Sequence, residues 1–228
     1  MANALILRKK QQRRRRIRLL MLKVVILVAL AVGVVLFLKR MYMEQESTAI
    51  SQREDIIETL GDEIVPGKIP MFFQFDKRWK DEKYGDGTME FTGCGPVCLS
   101  MVLCGLNGTA TYDPLTVAKL ADARGYYAAG AGSLWTLMSE GAESFGLTVH
   151  EVKFDKEHIR GELLEGRPVI CIMGPGEFTT TGHFIVLCGI DEDGMVIVHD
   201  PNSEERSKRG WDIEELMPQI RNLWSFSN

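Results

Sequence analysis

The chain has 228 residues and a net charge of −4 at neutral pH, enough for one ordinary domain and an appendage. The charge is uneven: Arg8, Lys9, Lys10, Arg13, Arg14, Arg15, Arg16 and Arg18 crowd the first positions with no acid among them, and the chain beyond residue 40 is acidic. Five cysteines, an odd number without regular loop spacings, exclude a secreted disulfide framework and fit a reactive thiol.

Residues 19–38 read LLMLKVVILVALAVGVVLFL, interrupted only by Lys23 and Gly33, and at a helical rise this stretch crosses the hydrocarbon core of a bilayer. The basic cluster precedes it and only Lys39 and Arg40 follow before the acids begin. The positive-inside rule then sets the N-terminus in the cytoplasm and the rest outside the cell. The stretch ends in Leu-Phe-Leu-Lys-Arg rather than in the small residues of a cleavage site, so it reads as an uncleaved signal anchor. Topology and lipid phosphates account for the arginines, and nucleic acid is not an expected partner. The expected organisation is a basic cytoplasmic tail over 1–18, a membrane helix over 19–38, a polar stalk over 39–66 and a single domain over 67–228. Within the stalk, Ser51 to Leu60 has helical character, ending near Gly61.

The domain opens with a short predicted strand over 71–76, then turns around Trp79 and Tyr84-Gly85-Asp86-Gly87. Gly93-Cys94-Gly95-Pro96 follows and runs into an apolar segment with helical spacing at Val97, Met101 and Cys104. Pro96 suits the first helical position, since the amide hydrogen it lacks would have no partner there. Cys94 thus stands at a helix N-terminus, where free amides and the macrodipole favour an anion and lower a thiol's pKa. That position suits a catalytic thiolate; it also suits a small cysteine opening a core helix. Cys98 and Cys104, among Leu, Met and Val, read as apolar filler.

Asn107-Gly108 ends this helix. Asp113-Pro114 caps and opens a second one through Ala123. Ser133 is the expected cap of a third, over 134–145. Residues 147–153 alternate as a strand does, and Asp155 caps a short helix to Glu165. Apolar strands are expected at 168–173, 184–190 and 195–199, the last two joined by the hairpin turn Asp191-Glu192-Asp193-Gly194. That turn lacks the further carboxylates of a calcium loop. A last helix over 211–216, with Trp224, is expected to pack on the sheet. Helices first and an antiparallel sheet later make the fold class α+β. No motif calls for a cofactor or a metal.

A nucleophilic thiol needs an imidazole to take its proton, and the imidazole needs an acceptor that fixes its tautomer. Of four histidines, His150 and His158 have no distinctive surroundings. His183 opens an apolar strand in Thr181-Gly182-His183-Phe184, and His199 precedes Asp200-Pro201 at the end of the next. Strand parity separates these two. With Ile190 opposite Met195, Ile185 faces Asp200, and His183 and Asp200 share a face as diagonal neighbours roughly 7–8 Å apart at the backbone. His199 then points away from Asp200. His183 is the expected base.

Gln74-x-Asp76-x-x-Trp79, Gly93-Cys94-Gly95-Pro96, Gly182-His183-Phe184-Ile185-Val186-Leu187 and Asp200-Pro201 together resemble the papain-like cysteine peptidases of the bacteriocin-processing, double-glycine leader kind. The likeness is strongest to single-domain, extracytoplasmic relatives and runs from about Ile69 to the C-terminus. It implies a papain-like fold, with Cys94 as nucleophile, His183 as base and Asp200 as orienter. The oxyanion donor is less direct. Leader peptidases carry a Gln shortly before the Cys, and residues 89–93 hold none, so Gln74 is the nearest candidate, with tying down the lead-in strand as its other reading. Leader peptidases are also fused to transporters and act inside the cell, so their substrate class does not carry over. The expected function is a membrane-anchored extracellular cysteine peptidase acting on peptide or protein substrates through a thioester. Hydrolysis or transpeptidation of peptidoglycan stem peptides, and a catalytically silent binding domain, are the alternatives.

Overall fold

A computed structural model describes residues 2–228, with the side chains of Lys10 and of residues 13–228. The side chains of Arg8 and Lys9, part of the basic cluster, lie outside the described residues. The chain divides into two compact units, Met1–Glu54 and Asp55–Asn228.

Residues 2–54 of the first unit lie within helix α1, Ala2–Gly61. Its segment 19–38 is exposed along its whole length, and the helix is long and apolar enough to cross a membrane. The expected partly helical stalk is helical throughout, to Gly61. Its last turns belong to the second unit, where Ile56 and Leu60 are buried in the core. The compact unit thus takes in these turns of α1 as well as the expected domain over 67–228. Ile56 and Leu60 are four apart, so one face of an otherwise polar helix is enough to join the core.

The second unit opens without the expected strand at 71–76. Its first ladder is the small hairpin of β1, Lys83–Tyr84, and β2, Gly87–Thr88. The short helix α2, Met89–Thr92, leads into α3, Cys94–Asn107. Apolar on all sides, α3 is buried from Gly95 to Gly105, as its composition requires. Helix α4, Pro114–Ala123, starts on Asp113, whose carboxylate accepts from the amides of Leu115 and Thr116. Ser133 is no helix cap. It lies in β4, Gly132–Ser133, paired with β3, Tyr127–Ala128, and the expected third helix is broken into a turn at Trp135–Leu137 and α5, Glu140–Ser144.

The remainder builds a six-stranded antiparallel sheet. In chain order it holds β5, Thr148–His150; α6, Lys156–Leu164; β6, Val169–Met173; β7, His183–Ile190; β8, Val196–His199; α7, Glu204–Lys208; β9, Gly210–Trp211; α8, Ile213–Leu216; and β10, Ile220–Ser227. The spatial order is β5-β10-β6-β7-β8-β9. The C-terminus is thus a strand inserted between β5 and β6, and the expected last helix is only the one turn of α8. Both faces of the sheet are covered. Ile170, Phe184, Val186 and Phe226 pack with α3 and α4, while Val169, Cys171, Ile185, Leu187 and Val198 pack with α6 and α8. Burial on both faces explains why β6 and β7 read as continuous apolar runs rather than alternating ones.

Candidate active site

Cys94 is the first residue of α3, with Gly93 as its cap, and Pro96 is therefore the third helical residue rather than the first. The sulfur's neighbourhood is shaped by close backbone packing. A Cβ on Gly95 would lie 2.6 Å from Ser133 Cβ, so glycine is what allows β4 to press against the start of the helix. Ser133 is fixed in turn by the Tyr84 hydroxyl at 2.8 Å. Cys94 keeps partial exposure on a cleft of about 640 Å³ that it shares with His183, Ser133, Trp135, Tyr127 and Ile172.

His183 reaches this cleft from the first residue of β7. Its Nε2–H donates to Asp200 Oδ1 at 2.7 Å, which leaves Nδ1 for the hydrogen bond with the Cys94 sulfur. The register behind this contact differs from the expected one at the turn. Ile190 pairs with Val196 rather than Met195, and the ladder is then shifted by a bulge at Cys188, beyond which Leu187 pairs with Val198 and Val186 with His199. The bulge restores, at the site end, the register that a pairing of Ile190 with Met195 would have set. Without it, Asp200 would fall opposite Val186 and on the other face from His183. His199 points away, as parity requires, and its Nδ1 is 3.1 Å from the Pro70 carbonyl.

Asp200 is completely buried, and its carboxylate is fully used. Oδ1 also accepts the Asn202 amide at 2.8 Å, and Oδ2 accepts Arg206 Nε at 2.5 Å. The backbone of Asp200 is held by Ser207, whose Oγ accepts the Asp200 amide at 2.9 Å. Helix α7, capped by Ser203, thus grips the acid through Arg206 and Ser207. Arg206 is absent from the residues that the sequence singles out. Its one signal there is a helix-capping Ser three residues before an Arg, directly after Asp200-Pro201-Asn202.

These contacts set the protonation states. Burial alone disfavours a Cys94 thiolate. The His183 hydrogen bond and charge, with the amides of Phe184 and Gly95, outweigh it and bring the thiol below its usual range. Burial likewise disfavours the His183 cation, yet the Asp200 and Cys94 contacts raise its pKa to about 9. Asp200 is held below the usual carboxylate range, because His183, Arg206 and the Asn202 amide overcome its burial. The other four cysteines go the opposite way. Burial pushes Cys104 up to about 12 and raises Cys98, Cys171 and Cys188. Among the five thiols, Cys94 is the one whose surroundings favour the thiolate.

Gln74 is placed differently. Its Nε2 donates to the Glu90 carbonyl, its backbone amide donates to the Pro201 carbonyl at 2.8 Å, and its buried Oε1 has no partner. The residue therefore braces α2 against the turn that follows Asp200. The structure brings Cys94, His183 and Asp200 together in one hydrogen-bonded line, and Gln74 is not bonded to the thiol.

Residues 67–225 match the model of the Peptidase_C39-like family. No curated protein matches the chain.

Proposed function

The chain belongs to the Peptidase_C39-like family, and we propose that it is a membrane-anchored, extracellular cysteine peptidase of papain-like fold working through Cys94, His183 and Asp200. The observation that carries this reading is the continuous line from sulfur to imidazole to buried carboxylate, with the thiol lowered and the imidazole raised to about 9. A resting thiolate–imidazolium pair follows from those two directions.

In this reading the Cys94 thiolate adds to the scissile carbonyl carbon. The oxyanion is met by the backbone amide of Cys94 at the helix N-terminus and by the Gln74 Nε2 hydrogen not given to Glu90. His183 passes its proton to the leaving amine, the C–N bond breaks, and an acyl-thioester remains on Cys94. His183, now neutral, takes a proton from water, whose oxygen attacks the thioester and releases the carboxylic acid and the thiolate. Asp200 holds the imidazole in the tautomer that keeps Nδ1 toward sulfur, and stabilises the cation each time it forms.

Location rests on charge. Eight basic residues precede the apolar stretch of α1 and two follow it closely, so residues 1–18 are the cytoplasmic tail, 19–38 the span and the rest faces outward. This outward placement makes the protein an extracytoplasmic relative of the bacteriocin-processing peptidases. The polar turns after residue 38 act as the stalk up to the folded unit at Asp55.

The test uses the full-length chain in detergent with a diverse peptide library. Cleavage that is lost in Cys94→Ala, with an acyl adduct on Cys94 after acid quenching, is the expected result. No cleavage and no adduct would make the domain a silent binding module. Protease added to intact cells should release the folded unit, and protection until lysis would reverse the orientation.

A further inference from the structure

Arg221 lies on the wall of the cleft that holds Cys94 and His183. It reaches that position through a defect in the sheet. Ile220 pairs with Met173 and Asn222 with Ile172, so Arg221 is the extra residue of a bulge in β10. A bulge breaks strand alternation and re-aims one side chain, and next to a cleft that side chain is turned toward whatever the cleft holds. The neighbouring strand end makes room for it. A Cβ on Gly174 would lie 2.7 Å from Arg221 Cζ and 2.8 Å from Nη2, so the guanidinium lies directly over the Gly174 backbone.

The guanidinium is positioned but not neutralised. Nη1 donates to the carbonyls of Pro218 at 3.0 Å and Ile220 at 3.4 Å, both uncharged acceptors. Among the described residues no carboxylate pairs with it, whereas Arg78, Arg167, Arg206 and Arg209 of the same unit each hold an acid. Asp86, the acid on the same cleft, is taken by the Tyr127 hydroxyl and the Gly130 amide. The cleft therefore presents one anchored cation with its charge unmet, and guanidinium matches a carboxylate in a two-bond fork.

Its distance from the chemistry follows from the sheet. His183 is opposite Met173, and Met173 is opposite Ile220. Two strand spacings, roughly 10 Å, separate the backbones of His183 and Ile220. An extended peptide covers that in about three residues at ~3.3 Å each. We propose that Arg221 is a specificity residue that binds an acidic side chain, Asp or Glu, two or three residues from the scissile bond of the substrate. The proposal rests on the peptidase reading and names the substrate class for it.

The test compares peptides cleaved by the full-length chain in detergent, each made in three versions with Glu, Gln or Lys walked through the positions flanking the cut. One position should show a KM about tenfold lower for Glu than for Gln with kcat unchanged, since a contact made equally in ground and transition states moves KM alone. The preference should shrink in high salt. Arg221→Gln should erase it, and Arg221→Glu should turn it into a preference for Lys, with both variants checked for unchanged thermal unfolding. Equal KM for Glu and Gln at every position, or a Glu preference surviving in Arg221→Glu, overturns the proposal while leaving the peptidase reading intact. Absence of any turnover, with no acyl adduct on Cys94, overturns both.

Discussion

Arg206 Nε lies 2.5 Å from Asp200 Oδ2, while the other oxygen of the same carboxylate holds His183 at 2.7 Å. The Asp200 carboxylate is thus shared between His183, the proposed base, and Arg206. Arg206 also lies with its guanidinium carbon 5.7 Å from the centre of the Phe178 ring, which ties α7 to the loop before β7.

Removing Arg206 leaves a completely buried carboxylate short of a charged partner. Arg206→Leu should therefore cost about 1–3 kcal/mol, reduced from the full cost of a broken buried pair because the guanidinium is partly exposed. The direction with pH follows from Asp200, whose folded pKa is lowered. Its stabilisation is present above the unfolded carboxylate range and is lost as pH falls. Without Arg206 that loss should begin at higher pH, so acid unfolding of the variant should have a raised midpoint. An unchanged acid midpoint would detach Arg206 from Asp200.

Asp200→Asn tests the sharing itself. Both carboxylate oxygens face N–H donors, and an amide offers one acceptor, so its NH2 must oppose either His183 or Arg206. The single change should lower kcat/KM by about 10- to 100-fold, and His183→Ala, which removes the base, by about 1000-fold or more. Asp200→Asn combined with Arg206→Leu should recover part of the loss, because the second donor is gone. Strict additivity of the two changes would show that the oxygens are not coupled.

The ion pair also sets a pH window. The proposed mechanism requires Cys94 deprotonated and His183 protonated. The profile of kcat/KM should therefore rise below the ordinary thiol range, hold a plateau, and fall as pH passes through about 9, where His183 loses its proton. Stability carries the same sign: the raised pKa of His183 contributes below its unfolded value near 6.5 and is lost as pH rises through about 9. An alkaline limb at the unperturbed histidine value would contradict the contact with Asp200.

The buried end of α1 makes a prediction about where the folded unit begins. A chain starting at Gly67 lacks Ile56 and Leu60, and losing two buried aliphatic side chains should cost about 3–5 kcal/mol against a chain starting at Asp55. Denaturant midpoints of the two compare directly, and equal midpoints would place the last turns of α1 outside the core.

Elements with local punctuation are legible in the sequence. Asp113-Pro114 and Asp155 mark helix starts through their own side chains, and Asp191 to Gly194 marks a hairpin through its turn chemistry. Cys94, His183 and Asp200 stand out because each sits at the end of such an element. What stays hidden depends on distant partners. Strand β10 escapes because the bulge at Arg221 breaks its period-two pattern and both its faces are packed. Ser133 has the composition of a cap, but the Tyr84 hydroxyl, 49 positions away, claims it. Arg206 lies in a helix of five residues with no motif, and its role emerges only where the turn after β8 brings Asp200 over it. The expected register of β7 against β8 is right at the site and wrong at the turn, the difference being one bulged residue that no residue type announces.

A resting thiolate–imidazolium pair between Cys94 and His183 underlies the proposed chemistry. Its most direct measurement is the rate of iodoacetamide alkylation of each cysteine across pH, with peptide mapping, on the full-length chain and on His183→Ala. Cys94 alone should react quickly at about pH 6, where an ordinary thiol near 8.5 is almost wholly protonated. In His183→Ala its labelling should move up toward the pH of an ordinary thiol, because only the amides of Phe184 and Gly95 then oppose burial. Cys94 labelling no faster than Cys98, Cys104, Cys171 and Cys188, or a pH profile unmoved by His183→Ala, would contradict the pair.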